Sequence, residues 1–280
     1  MALRKRLHVL TCNDNPNSFS FAYPLMLNRE KMRQRGLDVR FFFSLNKGLY
    51  GCEAIFVDSK FFRNYISEEE KERMFGALDE MRRSAGTLLW FDTTDSSGTP
   101  QFKVLPHVDG YYKSQVLKDS KMYMEKLYGA RVVSDYFHRV FKVEDELNSP
   151  FVAHLPEPGQ MEKIHVSWNQ ALNDHSIFGN NYSLLGNILC RSRRYIPLGL
   201  RYRGRFISPG RQKKSDITCR FGLSHPRGFV RFHRNLLKEG LNKYGVKTDP
   251  VSRLAYYREL ADSKISVSPV RAWRDNIQGF

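Results

Sequence analysis

Residues 87–100, which read TLLWFDTTDSSGTP, indicate the fold more clearly than any other stretch of the chain. The first five residues form a short, largely apolar run, and such a run predicts a buried β-strand. Polar, turn-forming residues follow without a break from Asp92 to Pro100. Ligands of open parallel sheets bind beyond the carboxyl ends of the strands. A strand that runs straight into a polar loop is therefore a place to look for function.

The same alternation of strands and helices extends through the first half of the chain. Further apolar runs bounded by turn residues predict strands. A capping box of Ser67 and Glu70 predicts the start of a helix that ends before Gly86. The predicted strands are 7–12, 38–43, 54–57, 87–91 and the surroundings of 104–105, and the predicted helices are one ending at Arg35, 67–84 and 111–127.

The second half repeats this alternation after a proline-containing link at residues 148–162. Strands that alternate with helices of 10–15 residues predict parallel sheets with crossover helices. The sequence therefore predicts an α/β fold of two Rossmann-like domains facing a cleft, residues 1–150 and 151–280. The second-half strands are 163–168, 216–221 and 264–267, the helices are 182–194, 229–241 and 251–262, and the strand-end loops of interest are 13–20, 92–100 and 222–228.

The composition is that of a basic globular protein. With 41% hydrophobic and 13% aromatic residues among 280, the chain can bury a core, which excludes general disorder. Its apolar runs are all shorter than the roughly 18 residues that a membrane span needs. The four cysteines lie far apart without a CxxC pair, and this usage fits a reducing compartment. A soluble cytoplasmic protein is therefore expected.

The excess positive charge is concentrated in the second half. Residues 1–162 hold 23 basic and 22 acidic residues, whereas residues 163–280 hold 22 basic and 7 acidic ones. The densest stretch, residues 191–214, has nine basic residues and no acidic one. This asymmetry favours an anionic partner: nucleic acid, a membrane surface or the phosphates of a small ligand. A solvated basic face without a specific partner is the plainer alternative.

The common phosphate and metal motifs are absent from the sequence. No GxGxxG follows a strand and there is no GxxxxGK[ST] loop, so the dinucleotide-binding and P-loop classes have no support. No His/Cys set has zinc-ligand spacing. Asp92 and Asp95 are three residues apart, which is not the alternate spacing of a DxD site. The sequence therefore predicts neither a metal site nor an obligatory cofactor.

Three carboxylates in strand-end loops are candidates for a general base: Asp14, Asp92 and Asp95. A carboxylate placed in a cleft can accept the proton of a hydroxyl group. The alternative for each is a turn in which the side chain bonds nearby backbone N–H groups and shapes the loop. The sequence alone leaves both interpretations open.

The strongest candidate phosphate site is the loop at residues 225–228, HPRG, which opens a predicted helix. The free N–H groups and the dipole of a helix N-terminus favour anions, and arginine adds bidentate hydrogen bonds to phosphate oxygens. Ordinary solvated helix positions are the alternative for these arginines. The candidate phosphate-binding residues are Arg211, Lys214, Arg220, His225, Arg227 and Arg231.

Several segments of the chain resemble exostosin-type glycosyltransferases of the GT-B class. Residues 90–98, continuing into 108–113, look like one segment of that family, and residues 256–269 look like another. Residues 163–174 are similar to the start of the family's second domain. The resemblance implies that the first domain binds an acceptor and the second binds a nucleotide sugar.

The resemblance also implies a reaction. It is transfer of a sugar, with xylose from UDP-xylose as the first choice, to a hydroxyl of an oligosaccharide or glycoprotein, without an obligatory metal and with inversion. In the family, a strand ending in Ser-Pro is followed by an arginine and a helix with a ribose-binding glutamate. Here Ser268 and Arg271 match the first features, but no acidic residue follows Asp275. The second domain is therefore expected to be abbreviated.

A nucleic-acid-binding protein is the competing class. Residues 191–214 interleave arginines with Tyr195, Tyr202 and Phe206, a pattern suited to backbone phosphates and base stacking. No recognisable nucleic-acid module accompanies this pattern. A catalytically silent α/β scaffold is a third interpretation.

Overall fold

The computed structural model of the protein describes α/β structure in both halves of the chain. The described residues are 5–94, 100–144, 155–168, 209, 212–225 and 227–269. The helix predicted at 182–194 lies outside these ranges, and so does most of the basic stretch 191–214.

A six-stranded sheet, called the first sheet below, forms the centre of the first half. Its strands are β1 (Lys5–Leu10), β2 (Leu37–Phe42), β3 (Ala54–Asp58), β4 (Leu88–Asp92), β5 (Gly110–Lys113) and β6 (Ile164–Val166). They lie in the order β2-β1-β3-β4-β5-β6, and every neighbouring pair is parallel. A parallel α/β sheet, as the alternation predicted, is therefore confirmed.

Among the described residues of the first half, four α-helices accompany the first sheet: α1 (Pro16–Leu27), α2 (Arg29–Gln34), α3 (Glu68–Ser84) and α4 (Val132–Phe141). The predicted capping box opens α3, with Ser67 Oγ accepting from Glu70 N–H and the Glu70 carboxylate accepting from Ser67 N–H. The helix predicted to reach Arg35 is divided into α1 and α2 at Asn28. Gly36 follows with φ of 84°, a left-handed conformation that glycine adopts without strain.

Both faces of the first sheet are covered at its central strands β3 and β4, which explains why these strands read as continuous apolar runs. Trp90 of β4 belongs to the core cluster that contains Leu78 of α3. Its neighbour Phe91 points the other way and packs with Phe21 of α1, the two ring centroids being 4.9 Å apart. Helices α1 and α3 therefore lie on opposite faces of the sheet.

Two of the predicted elements are wrong. The strand expected around 104–105 is part of a 3₁₀ helix, Phe102–His107. The helix expected over 111–127 begins instead as β5, whose Tyr111 pairs with Trp90 and is fully buried. Burial of an aromatic residue between strands overrides the helical pattern of the sequence that follows. The rest of that range contains one 3₁₀ helix, Ser120–Met124, and no α-helix.

The predicted strand at 163–168 exists, but it does not open a second sheet. As β6, it pairs with β5 at the edge of the first sheet, where Ile164 lies opposite Tyr111. The sheet of the first half therefore continues beyond residue 150. A parallel partner requires a crossover of many residues, and the chain between β5 and β6, which includes α4, provides one.

A second, two-stranded parallel sheet lies in the second half, and it is called the second sheet below. Its strands are β7 (Ser215–Thr218) and β8 (Ser263–Ser266), and its helices are α5 (Gly228–Asn242) and α6 (Arg253–Asp262). These elements match the predicted ones within two residues, except that β7 ends at Thr218 rather than at 221. The start of α5 packs on α4, where Phe137 clusters with Phe229 and Val230. None of the described helices is long and apolar enough to cross a membrane.

Candidate functional site

The strand order creates a crevice between β1 and β3. The chain leaves β1 toward α1 on one face of the first sheet, and it leaves β3 toward α3 on the opposite face. The two connections diverge at the carboxyl ends of adjacent strands, and this is where open α/β sheets bind ligands. Residues 11–15 and 59–63 are the loops at this switch point.

Asp58, the last residue of β3, organises this point, and sequence reasoning missed it. Its fully buried carboxylate accepts hydrogen bonds from Thr11 Oγ1 at 2.8 Å, Thr93 Oγ1 at 2.7 Å and Lys60 N–H at 3.0 Å, and Ser18 adds another. Burial raises the pKa of Asp58, although these hydrogen bonds oppose the rise. The carboxylate joins the loops after β1, β3 and β4. The available signal was an aspartate at the end of a predicted strand, the same signal that singled out Asp92.

Asp14, a predicted candidate base, lies in the loop after β1 and forms an ion pair with Arg63. Its side chain is 38% exposed, and that of Arg63 is 30% exposed. Arg63 also donates to Cys12 Sγ at 3.1 Å. The hydrogen bond from Arg63 holds the pKa of Asp14 below its ordinary value. Asp14 is therefore accessible and ionised at neutral pH, and Arg63 reduces its basicity.

Asp92, the second candidate base, is enclosed at the end of β4. Its side chain is fully buried and pairs with the Lys113 ammonium at 2.8 Å. The Tyr111 hydroxyl donates to the same carboxylate, and Thr94 N–H donates at 2.9 Å. Burial and the nearby Asp92 raise the pKa of Tyr111 well above its ordinary value. The structure therefore gives Asp92 a role in holding β4, β5 and the following loop together. The third candidate, Asp95, lies outside the described residues.

The loops after β1 and β4 are linked across β3. Asn17 at the start of α1 donates from Nδ2 to the Thr93 carbonyl at 2.9 Å. Ser59 Oγ accepts from Thr93 N–H at 3.1 Å, and Cys12 Sγ lies 3.1 Å from Ser18 Oγ. Asp14 and Asp92 thus both lie at the carboxyl ends of the strands, where hydrogen bonds join the loops. They belong, however, to different ion pairs.

Two predicted phosphate-binding residues near the second sheet already have carboxylate partners. Arg220 donates to both oxygens of Glu259, at 2.8 and 3.0 Å, and its side chain is only 16% exposed. This pairing raises the pKa of Arg220 and lowers that of Glu259. Lys214 pairs with Asp262 at 3.0 Å on the surface. Arg220 in particular is held as a structural contact between the loop after β7 and α6.

The loop before α5 brings together three predicted residues, His225, Arg227 and Arg231. Arg231 donates to the His225 carbonyl at 2.8 Å, and Arg227 N–H donates to His225 Nδ1 at 3.1 Å. Arg227 is the N-cap of α5 and makes no side-chain cap, and the first turn contains no acidic residue. Arg234 donates to the Gly222 carbonyl at 2.6 Å. His225, the three arginines and the N-terminus of α5 form what is called the α5 basic loop below.

The remaining predicted residues are separate from this loop or outside the described ranges. Ser268 is exposed two residues after β8, whereas Arg211 and Arg271 lie outside the described ranges. Within the part of the chain that the structure describes, no three His, Cys, Asp or Glu side chains are grouped to hold a metal ion. No protein-family model, curated protein or solved structure matches this chain. Of the predicted site residues, His225, Arg227 and Arg231 are thus brought together at the start of α5, and Asp14 is partly exposed in the loop after β1.

Proposed function

We propose that the chain is a glycosyltransferase that moves a sugar from a nucleoside diphosphate sugar to a hydroxyl acceptor. The observation that carries this proposal is the α5 basic loop, in which His225, Arg227 and Arg231 lie together at the N-terminus of a helix whose first turn contains no acidic residue. A departing diphosphate gathers negative charge in the transition state. Cations and helix N–H groups aimed at that charge lower the barrier without a bound metal.

Asp14 is the proposed general base. It is partly exposed beside the switch point, whereas the Asp92 carboxylate is enclosed by its partners. An inverting transfer needs one base that takes the proton of the acceptor hydroxyl. Replacement of Asp14 by Asn should lower kcat by roughly 10²- to 10⁴-fold at saturating donor. Turnover equal to that of the parent chain would exclude Asp14 as the base.

The finer features of the proposal come from the resemblance to exostosin-type enzymes. They are a two-domain GT-B arrangement with the donor in the second half, UDP-xylose as the first donor to test, a glycan hydroxyl as acceptor, and inversion without an obligatory metal. The parallel first sheet and the basic second half support such an arrangement. Cytoplasmic location belongs to the same proposal.

The test is sugar transfer from a panel of UDP-sugars, measured for the full chain and two matched variants. Arg227→Ala removes a cation at the N-terminus of α5, and Lys243→Ala removes one at the other end of the same helix. We expect Arg227→Ala to lower kcat/KM by roughly 10²-fold and Lys243→Ala to leave it unchanged. Equal kinetics of the two variants would contradict a diphosphate site at this loop.

The competing class is tested by the same preparation. Stabilisation of the fold by single-stranded DNA, steeply weakened by salt and accompanied by no sugar transfer, would contradict the glycosyltransferase proposal and favour nucleic-acid binding. Stabilisation by a UDP-sugar that depends only weakly on salt would support the proposal, because a donor carries few phosphates.

A further inference from the structure

A cavity of about 430 Å³ lies on the α3 side of the first sheet, and it is called the α3 cavity below. It is bounded by the segment after β3, by α3, by β4 and by the 3₁₀ helix Phe102–His107. This size falls within the range of about 300–1,000 Å³ that is typical of small-molecule pockets. The side chains that a ligand could touch decide what the cavity accepts.

The accessible wall of the α3 cavity is mainly apolar. It consists of half-buried side chains, namely Tyr65, Met74, Phe75 and Pro100. Tyr65 meets Phe62 edge-on, with the two ring centroids 5.0 Å apart. Phe75 stacks on His107 at 4.6 Å, and His107 Nδ1 lies 2.8 Å from the Asp79 carboxylate. Because these contacts hold the two aromatic rings in place, much of the apolar wall is formed before a ligand binds.

The charged groups at the α3 cavity are all cations. Arg63, Lys71 and Lys103 line it, and none of its described lining residues is acidic. Arg63 pairs with Asp14 and Lys71 pairs with Glu68 at 2.6 Å, but neither carboxylate lines the cavity. Lys103 is exposed and forms no ion pair with a described residue. Three cations against two carboxylates leave one positive charge for a single anionic group.

An apolar wall beside one uncompensated cation restricts the chemical class of the ligand. A sugar or a nucleotide would bring several hydroxyl groups to an apolar surface, and each hydroxyl that loses water without gaining a partner opposes binding. A phosphate dianion carries more charge than the cavity leaves uncompensated. An apolar body covers the wall, and one carboxylate accepts charge-assisted hydrogen bonds from the cations. We propose that the α3 cavity binds a small apolar monocarboxylate, with the carboxylate at Lys103 and the neighbouring Arg63 and Lys71.

This site is separate from the proposed donor site, and it does not rest on the proposed function. Ligand-observed NMR titration of the full chain with phenylacetate, 2-phenylethanol and acetate tests it, because these probes separate the apolar body from the charge. We expect phenylacetate to bind about tenfold more tightly than either of the other two. Binding of 2-phenylethanol or of acetate as tight as that of phenylacetate, or no binding of phenylacetate, would overturn the proposal.

Two variants within the α3 cavity locate the binding. Lys103→Gln removes a cation and should weaken phenylacetate about tenfold while leaving 2-phenylethanol unchanged. Met74→Glu places a carboxylate on the wall, where it competes for the same cations, and should weaken phenylacetate at least as strongly. Lys103 is exposed, so its variant decides the matter even if Met74→Glu destabilises the fold. Unchanged phenylacetate binding in Lys103→Gln would contradict the proposal.

Two further variants serve as controls outside the α3 cavity. Lys121 is an exposed lysine of the 3₁₀ helix Ser120–Met124 and does not line the cavity. Lys121→Gln should therefore leave phenylacetate binding unchanged, and an effect as large as that of Lys103→Gln would show that only the net charge of the chain matters. Arg227→Ala tests the α5 basic loop. If it abolishes binding while Lys103→Gln has no effect, the carboxylate binds at that loop, and the proposal for the α3 cavity is wrong.

Discussion

The first and second sheets use charge in opposite ways. In the first sheet, the Asp92–Lys113 pair is almost completely buried, with side chains 0% and 1% exposed. In the second sheet, each strand leaves three of its four residues exposed, and the Asp216–Lys264 pair lies at the surface with side chains 79% and 62% exposed. The comparison teaches that the ion pair within the first sheet is shielded from water, whereas the ion pair within the second sheet is surrounded by it.

The largest expected difference between the two regions concerns these two ion pairs. Lys113→Met leaves the buried Asp92 carboxylate without its cation, and we expect it to lower the free energy of unfolding by about 3–5 kcal/mol. Lys264→Met is the control at the exposed pair, where the expected change is at most about 1 kcal/mol. Urea unfolding of both variants measures the contrast. Similar losses at the two sites would refute the distinction.

A second, smaller effect tests whether an ion pair beside the second sheet stabilises the fold in the way that the buried Asp92–Lys113 pair does. Arg220 bonds both oxygens of Glu259 with little exposure. Arg220→Met should lower the free energy of unfolding by about 1.5–3 kcal/mol, because hydrogen bonds to charged groups are the stronger ones. Arg220→Lys should recover only part of this loss, since an ammonium cannot reproduce the planar fork. Full recovery by lysine would show that only the charge matters there.

A still smaller difference in stability is expected between two serine N-caps, one on α3 beside the first sheet and one on α6 beside the second. Ser67 caps α3 within a reciprocal capping box, while Ser252 caps α6 through a single long contact of 3.4 Å to Ala255 N–H. Ser67→Ala should cost about 1 kcal/mol of unfolding free energy, within the usual range for caps. Ser252→Ala should cost less. Chemical denaturation at neutral pH decides the order, and an equal or larger loss for Ser252→Ala would contradict it.

The last prediction concerns pH. The pKa of Asp58 is raised by burial, so the folded chain holds this proton more tightly than the unfolded chain. The contribution of Asp58 to stability therefore decreases as pH rises from the ordinary aspartate range through the raised pKa. The pKa of Glu259 is lowered by Arg220, so its contribution is present above the ordinary glutamate pKa and is lost as pH falls through the lowered value.

The measurement is unfolding free energy against pH for the parent chain, Asp58→Asn and Glu259→Gln. As pH falls, the parent should gain stability relative to Asp58→Asn, and it should lose stability relative to Glu259→Gln. If the stability difference between parent and variant changes with pH in the same direction for both variants, the pKa values of the two carboxylates are not shifted in opposite directions.

Much of the first sheet could be predicted because its strands are apolar on both faces. Residues 54–57 and 87–91 stand out as apolar runs between turns, and both are strands. β5 could not be recognised, because it is only four residues long and ends in Lys113, a residue type that usually marks the surface. Its burial depends on Asp92, which is brought beside it only by folding.

The candidate site was only partly predictable for a similar reason. Asp14 and Asp92 follow predicted strands, and the sequence could not tell that one is accessible and the other enclosed. Asp58 gives the same local signal, yet its importance depends on β3 lying between β1 and β4. Strand order is a property of long-range pairing and leaves no mark on the residues near Asp58. The α5 basic loop was predictable because its helix start and its arginines are neighbours in sequence.

Arg63 contacts Asp14 and also lines a cavity of about 430 Å³ on the α3 side of the first sheet. One guanidinium thus serves two sites, and an anion that binds it at the cavity competes directly with the Asp14 carboxylate. Thermodynamic reciprocity then fixes the sign of the coupling: protonation of Asp14 must strengthen binding of that anion, and binding of the anion must make Asp14 easier to protonate. The shared cation makes the charge state of the loop after β1 a readout of what occupies the neighbouring cavity.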